Sequence, residues 1–316
     1  MKIKRALLIV NPNAGKKRVR QHMFAILDEL ARAGYSVTVE FTQRQGHGVE
    51  LAHIAQKEKF DLVVCSGGDG TLNEVISGLL DSGSNIPLAY IPAGSTNDFA
   101  ATLGFSREIP IAAKDAVTGN TAHIDIGRFN HKYFSYVASF GIFTKASYST
   151  DQNAKNLLGS AAYLLEGIKD ITSVHEHSMR IEVNGETIDD TFIFGAVANT
   201  TSLGGVISID PADVSLDDGR FEYLFVKKPN NISDVVKAMN AITSYNYKSD
   251  TLYFGSSDNI DIYSQSGMDW SLDGEYSFSG THTNISVINK GIQMVIPCRE
   301  RISEILTCPE ENLQRN

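Results

Sequence analysis

The chain has 316 residues, 42% hydrophobic and 21% charged, with 26 Gly and 8 Pro; this is ordinary globular usage with length for two domains, and it excludes a disulfide-stapled miniprotein and a disordered or collagen-like chain. Lys and Arg number 28 against 37 Asp and Glu, a net charge of −9, which argues against a nucleic-acid protein held by a broad basic surface and makes any basic site local. Cys65, Cys298 and Cys308 lack the paired spacing of a zinc site and read as reduced thiols of a cytosolic protein.

Residues 6–10 predict a first strand, an apolar run too short for a secretory signal. No uncharged stretch approaches the ~20 residues of a bilayer span, so membrane contact is expected to be peripheral. Val19, Met23, Ile26, Leu27, Leu30 and Ala31 recur at helical spacing up to Gly34, which can close a helix in the left-handed region. A strand over 37–41, a helix through Leu51, Ile54 and Ala55, and the apolar run 62–65 follow. Beyond a glycine-rich break, Leu72, Val75, Ile76 and Leu79 mark another helix, and 87–91 another strand. Strands alternating with helices predict a doubly wound α/β domain over residues 1–124, with ligands at the carboxyl ends of its strands. After residue 124, short alternating stretches rich in Thr, Tyr, Phe, Val and Ile predict antiparallel β structure, a sandwich over residues 125–296. Asn130-His131 and Asn184-Gly185 read as hairpin turns, and Phe134, Tyr136, Phe140, Phe143 and Tyr148 as core. Two helices interrupt this domain, one over 157–171 and one from Ser233, read as an N-cap, to about 242. Residues 308–316 read as a loose tail, and 297–316 have the length to return onto the first domain. The predicted fold class is therefore α/β plus β.

Three loops at strand ends carry the chemistry. In Ser66-Gly67-Gly68-Asp69-Gly70-Thr71 the glycines let a phosphate approach the backbone, and the helix beginning near Thr71 aims free N–H groups at it. Taken alone, it also reads as a strand-to-helix turn with Asp69 as a cap. Asn11-Pro12-Asn13-Ala14-Gly15 and Pro92-Ala93-Gly94-Ser95-Thr96-Asn97-Asp98-Phe99 end two further strands on the same sheet edge, so three loops offer backbone and side-chain donors to one ligand. Lys16, Lys17, Arg18 and Arg20 form a dense basic cluster, in a first 60 residues that hold eleven basic and five acidic side chains. The cluster suits nucleotide phosphates, an anionic membrane surface or a solvated helix face.

In this order and location, NPNAG, GGDGT and PAGSTNDFA resemble the nucleotide-binding domain of the soluble bacterial diacylglycerol kinases, a lipid kinase family that includes sphingosine and ceramide kinases. Leu203-Gly204-Gly205, the stretch 211–219 ending in Asp217-Asp218-Gly219, and Leu272-Asp273-Gly274-Glu275 are similar to motifs of the family's β-rich second domain, and the resemblance covers residues 3–298. It implies ATP and Mg²⁺ as cofactors and a diacylglycerol-like lipid as acceptor. The implied nucleotide set is Asn11, Pro12, Gly15, Thr42, Gly67, Gly68, Asp69, Gly70, Thr71, Glu74, Gly94, Ser95, Thr96, Asn97 and Asp98, with Ser95 standing where the family commonly has Thr. His47 follows the second strand where the family often has a Gly-His pair, and also reads as an exposed loop histidine. Glu275 is implied as the general base and Asp69 as the carboxylate orienting the Mg²⁺–ATP phosphates; Asp273-Gly274-Glu275 also reads as a plain hairpin turn. A structural Mg²⁺ is implied at Asp218 with the carbonyls of Ser215 and Arg220, where Asp-Asp-Gly also reads as an ordinary turn. The implied location is cytoplasmic, with transient contact at the inner membrane surface. No linear motif fixes the acceptor, so a kinase of a soluble acceptor such as NAD and a non-catalytic nucleotide- or lipid-binding regulator stay open, as does a homodimer.

Overall fold

The computed structural model describes residues 3–95, 97–142, 175–203 and 207–298. The helix read over 157–171, Thr96, Phe143, Tyr148, the Gly204-Gly205 pair, Cys308, the tail 299–316 and the side chains of Lys16 and Lys17 lie outside the described residues.

The first part of the chain runs β1 (Lys4–Val10), α1 (Arg18–Arg32), β2 (Tyr35–Phe41), α2 (His47–Lys57), β3 (Leu62–Gly67), α3 (Asp69–Asp81), β4 (Leu88–Pro92), α4 (Asp98–Thr102) and α5 (Ile109–Thr118). The strands pair in parallel in the order β2-β1-β3-β4. Because successive strand residues face opposite sides, Leu7 and Ile9, Val63 and Cys65, Leu88 and Tyr90 pack into the core under α2 and α3. Ala6, Leu8 and Val10, Leu62 and Val64, Ala89 and Ile91 pack under α1 and α5 on the other face. Burial on both faces explains why β1, β3 and β4 read as unbroken apolar runs. Strand order reverses at β1 and β3, so a crevice opens beyond their carboxyl ends.

The remainder runs β5 (Asn120–Phe129), β6 (Lys132–Phe134), β7 (Val137–Gly141), β8 (His177–Val183), β9 (Glu186–Ala198), β10 (Ser202–Leu203), β11 (Ile207–Ser208), β12 (Phe221–Lys227), α6 (Ile232–Thr243), β13 (Leu252–Ser257), β14 (Asn259–Ser264), β15 (Met268–Leu272), β16 (Glu275–Ser279) and β17 (His282–Ile296). Pairing is antiparallel, in the order β16-β15-β7-β9-β8-β14-β17, with β12 and β13 extending from β9. Phe129, Phe134, Phe140, Phe192, Phe221, Phe225 and Trp270 fill its interior, so Phe134 and Phe140 are core residues, as is the buried Tyr136. Asn184 and Gly185 both have positive φ, 53° and 80°, the geometry of a type I′ turn.

Two strands join the halves. β17 pairs antiparallel with β14 and β5, and its end, Met294 and Val295, pairs in parallel with Leu88 and Ala89 of β4. β5 begins at Asn120 beside that junction and ends in the sandwich. Two expectations shift. Asn231 caps α6 in place of Ser233, its side chain accepting the Asp234 N–H at 3.1 Å. α3 begins at Asp69 and not near Thr71, because Gly68 in extended backbone already precedes the helix.

Candidate active site

A cleft of about 450 Å³ lies beyond β1 and β3, lined by Asn11, Asn13, Ala14, Thr42, Gln43, Arg44, Gln45, Gly68, Gly70, Thr71, Glu74, Gly94 and, from the other domain, Glu275. The loops meet because their glycines permit it. A Cβ on Gly94 would lie 2.6 Å from Gly68 Cα, and one on Gly67 would lie 2.6 Å from Thr71 Cβ. Gly15, at φ +48°, packs so closely on the Ala93 carbonyl that a side chain would overlap it. Asn11 Nδ2 donates to Thr71 Oγ1 at 2.9 Å, tying the first loop to α3. Asn97, in the left-handed region at φ 54°, closes the third loop: its Oδ1 accepts the Gly94 N–H and its Nδ2 donates to the Gly94 carbonyl.

The first turn of α3 points into this crevice, where unpaired N–H groups favour an anion. Asp69, its first residue, accepts the Asp98 N–H at 3.3 Å through Oδ2, while Oδ1 is buried without a hydrogen-bond partner. Burial, and then the nearby Asp98 carboxylate, push the Asp69 carboxyl up to about 6 against the pull of backbone N–H groups from Asp98, Phe99 and Asn97. Such a group is short of positive charge, and a cation or a cation-bound ligand would complete it. Glu275 stands at the cleft wall directly over Gly70, where a Cβ would overlap its Oε1. Partial burial and the Glu74 carboxylate raise its pKa, and Lys132 opposes them.

Of the implied nucleotide residues, Asn11, Thr42, Gly68, Gly70, Thr71, Glu74 and Gly94 line the cleft together with Glu275. Pro12 sits within its first loop, Gly15 and Gly67 hold the loops together from behind, and Asp69, Asn97 and Asp98 form the layer under the third loop. Ser95 is exposed. Both oxygens of Glu74 are engaged by the loop before α2, accepting the N–H groups of Gly46 (2.7 Å) and Gly48 (2.9 Å). His47 opens α2, and its Nδ1 accepts the Gln43 N–H. Arg18 Nη2 donates to the Arg107 carbonyl.

Asp218 lies apart from this lining, in the turn before β12, and its Oδ1 accepts the Arg220 N–H at 2.9 Å. Asp217 accepts the Ser215 hydroxyl, and Asp125 of β5 accepts the N–H groups of Gly219 and Lys290 at 2.5 Å each. Burial, with Asp218 and Asp217 nearby, raises the Asp125 pKa. Among the described residues no three His, Cys, Asp or Glu side chains are placed to hold a metal together.

Asn73 and the 43–44 segment carry site geometry that the motif reading passed over, and Asp273, named only as part of the late motif, has a structural role there that the motif did not convey. Asp273 is buried, and its carboxylate accepts backbone N–H groups from Ser135 (2.5 Å), Tyr136 (3.0 Å) and Val137 (3.1 Å) and the side-chain amide of Asn73 (3.0 Å). The spacing of Asn73, four residues after Asp69 on a predicted helix, was the available signal. A second, largely apolar cavity of about 140 Å³ lies between α6 and the sandwich, lined by Ile142, Ile193, Phe194, Val226, Ala238 and Met239 among others, together with the polar Lys227, Lys228, Asn230, Asp234, Asp250 and Thr251.

Residues 5–129 match the family model described as the diacylglycerol kinase catalytic domain, and residues 136–294 match that of the YegS C-terminal NAD kinase beta sandwich-like domain. The chain is 33% identical over 275 residues to a diacylglycerol kinase of Bacillus subtilis (strain 168), covering 87% of this chain and 90% of that protein. It is 31% identical over 272 residues to one from Staphylococcus haemolyticus (strain JCSC1435), covering 86% and 82%. A Bacillus anthracis (Sterne) crystal structure described as a candidate diacylglycerol kinase matches the fold with a TM-score of 0.77 at 26% identity, over 94% of this chain and 97% of that one.

Proposed function

The chain belongs to the diacylglycerol kinase family, a lipid kinase family, and we propose that it transfers the γ-phosphoryl group of ATP to the hydroxyl of a diacylglycerol-like lipid. The observation that carries this reading is the place of Glu275 in the cleft wall over Gly70, the residue that follows Asp69, whose Oδ1 is buried without a partner at the head of α3. The acceptor oxygen attacks the γ-phosphorus, a new O–P bond forms, and the bond to the bridging oxygen of ADP breaks. The acceptor's proton passes to the Glu275 carboxylate. Phosphoryl transfer asks the protein mainly for alignment and charge, which the glycine-lined loops and the α3 N-terminus supply.

Mg²⁺ with the nucleotide fits the site, because Asp69 Oδ1 is buried and unpaired; when bound, the ion neutralises phosphate charge. Asp69 would orient it, directly or through water. A structural Mg²⁺ would rest on Asp218 and the carbonyls of Ser215 and Arg220, where Asp217 and Asp218 add negative charge beside the partly buried Asp125. A set with few carboxylates suits an ion that keeps several waters.

The acceptor's acyl chain would occupy the apolar cavity under α6. β7 links the two sites: the Val137 carbonyl accepts the Asp273 N–H, the Val137 N–H donates to the Asp273 carboxylate, and Ile142, five residues on, lines the cavity, a path of about 17 Å at strand rise. Among the described residues no helix is long and apolar enough to cross a membrane, so the lipid would be met at the bilayer surface, with the 16–20 cluster as the candidate anionic-lipid contact. The likeness of the second domain to an NAD kinase sandwich favours one alternative, a soluble acceptor such as NAD. Incubation with γ-labelled ATP, Mg²⁺ and separate acceptors decides: label in the lipid phase with diacylglycerol is expected, and label only in a soluble product would overturn the lipid reading.

A further inference from the structure

α3 presents Asp69, Asn73, Ser77 and Asp81 at four-residue intervals, one stripe along a helix face. The last three seat the second domain. Asn73 Nδ2 donates to Asp273 Oδ2 (3.0 Å) and to the Tyr133 carbonyl (3.3 Å), the Ser77 hydroxyl donates to Asn73 Oδ1 (3.2 Å), and the Tyr133 hydroxyl donates to Asp81 (3.0 Å). Asp273 is the centre of this seam. Its carboxylate takes four N–H donors, three from the 135–137 backbone and one from α3, and its own N–H donates to the Val137 carbonyl at 2.9 Å. With φ of 51° at Asp273 and 87° at Gly274, the turn is a tight two-residue hairpin whose next residue is Glu275, paired with Leu272. One helical turn thus separates Asp69 from Asn73, and Gly274 alone separates Asp273 from Glu275.

We infer that Asn73 and Asp273 are positioning residues for phosphoryl transfer, a lock that fixes the turn carrying Glu275 against the helix carrying Asp69. The inference rests on the assignment of Glu275 and Asp69 to the reacting groups. Neither locking side chain lines the cleft. They set the separation between two carboxylates that belong to different domains, and small misplacements of reacting groups lower rates steeply.

The test uses the full chain as Asn73→Ala, Asp273→Asn and the double variant, with kcat and KM for ATP measured on diacylglycerol in mixed micelles and ATP affinity by calorimetry. Expected is a kcat lowered about tenfold or more in each single variant, with KM and Kd for ATP within about twofold and the double variant no slower than Asp273→Asn, because both remove one lock. Folded single variants with kcat within about twofold of the parent would overturn the inference. So would a loss of ATP affinity parallel to the loss of kcat, the mark of a generally loosened phosphate loop. Asn73→Ala leaves the three backbone bonds to Asp273 in place, so it decides the matter alone if Asp273→Asn does not fold. Glu275→Gln run alongside separates the two readings: impaired Glu275→Gln with unimpaired lock variants defeats this inference only, whereas a fully active Glu275→Gln defeats the assignment beneath it as well.

Discussion

On the proposed mechanism Glu275 and Asp69 serve one reaction, and the surroundings of each treat charge differently from water. The free enzyme needs Glu275 ionised to accept a proton, and its pKa is raised by partial burial and Glu74; Asp69, near 6, titrates on the same side. kcat/KM, which reports the free enzyme, is therefore expected to fall as pH drops through about 6. Asp98 is the second cause of the Asp69 shift, so Asp98→Asn should move this acid limb to lower pH; an unmoved limb in a pH series of kcat/KM would detach Asp69 from it. Asp273 makes a linked prediction for stability. Burial pushes it up to about 7 in the fold, against an ordinary value of 3.8, so the folded state binds the proton more tightly than the unfolded one. The stability this contributes is complete below about 3.8 and is lost as pH rises through about 7. Urea unfolding at pH 5 and pH 8 should give a smaller difference in Asp273→Asn than in the parent.

At the scale of elements, the head of α3 and the hairpin turn that carries Glu275 meet at Gly70. An added methyl group there would overlap Glu275 Oε1, so Gly70→Ala is expected to displace the carboxylate and lower kcat by about 10²-fold or more, the usual weight of a general base, while the protein stays folded. Turnover near that of the parent in a circular-dichroism-normal Gly70→Ala would remove Glu275 from its place over the loop. The glycines themselves were legible from sequence: Gly67, Gly68, Gly70 and Gly94 stand where a strand must turn into a helix beside another backbone. So were β1, β3 and β4, whose unbroken apolar runs match burial on both faces. The Asn73–Asp273 bridge was not, because it joins residues 200 apart and no local pattern encodes such a contact. Glu74 was named only through the resemblance, and what no motif conveyed is that, while it lines the cleft, both its oxygens accept the Gly46 and Gly48 N–H groups.

For the whole molecule, β5 and β17 make the two halves share strands, and one apolar cluster runs from under α2 and α3 into the face beneath α6. That continuity places the apolar cavity and the polar cleft on one scaffold, with β7 between them. Filling the cavity with Ala238→Trp should lower kcat/KM for long-chain diacylglycerol by about 10-fold or more while sparing a short-chain analogue, since losing a few buried methylenes at about 0.8 kcal/mol each is enough; equal effects on both acceptors would place the acyl chain elsewhere. The central claim is that one domain supplies the phosphate cradle and the other the base. Single-turnover transfer from γ-labelled ATP by Glu275→Gln, with ATP affinity measured on the same sample, tests it most directly. The rate is expected to fall by about 10²–10⁴-fold with ATP affinity unchanged, and transfer at the parent rate would contradict it.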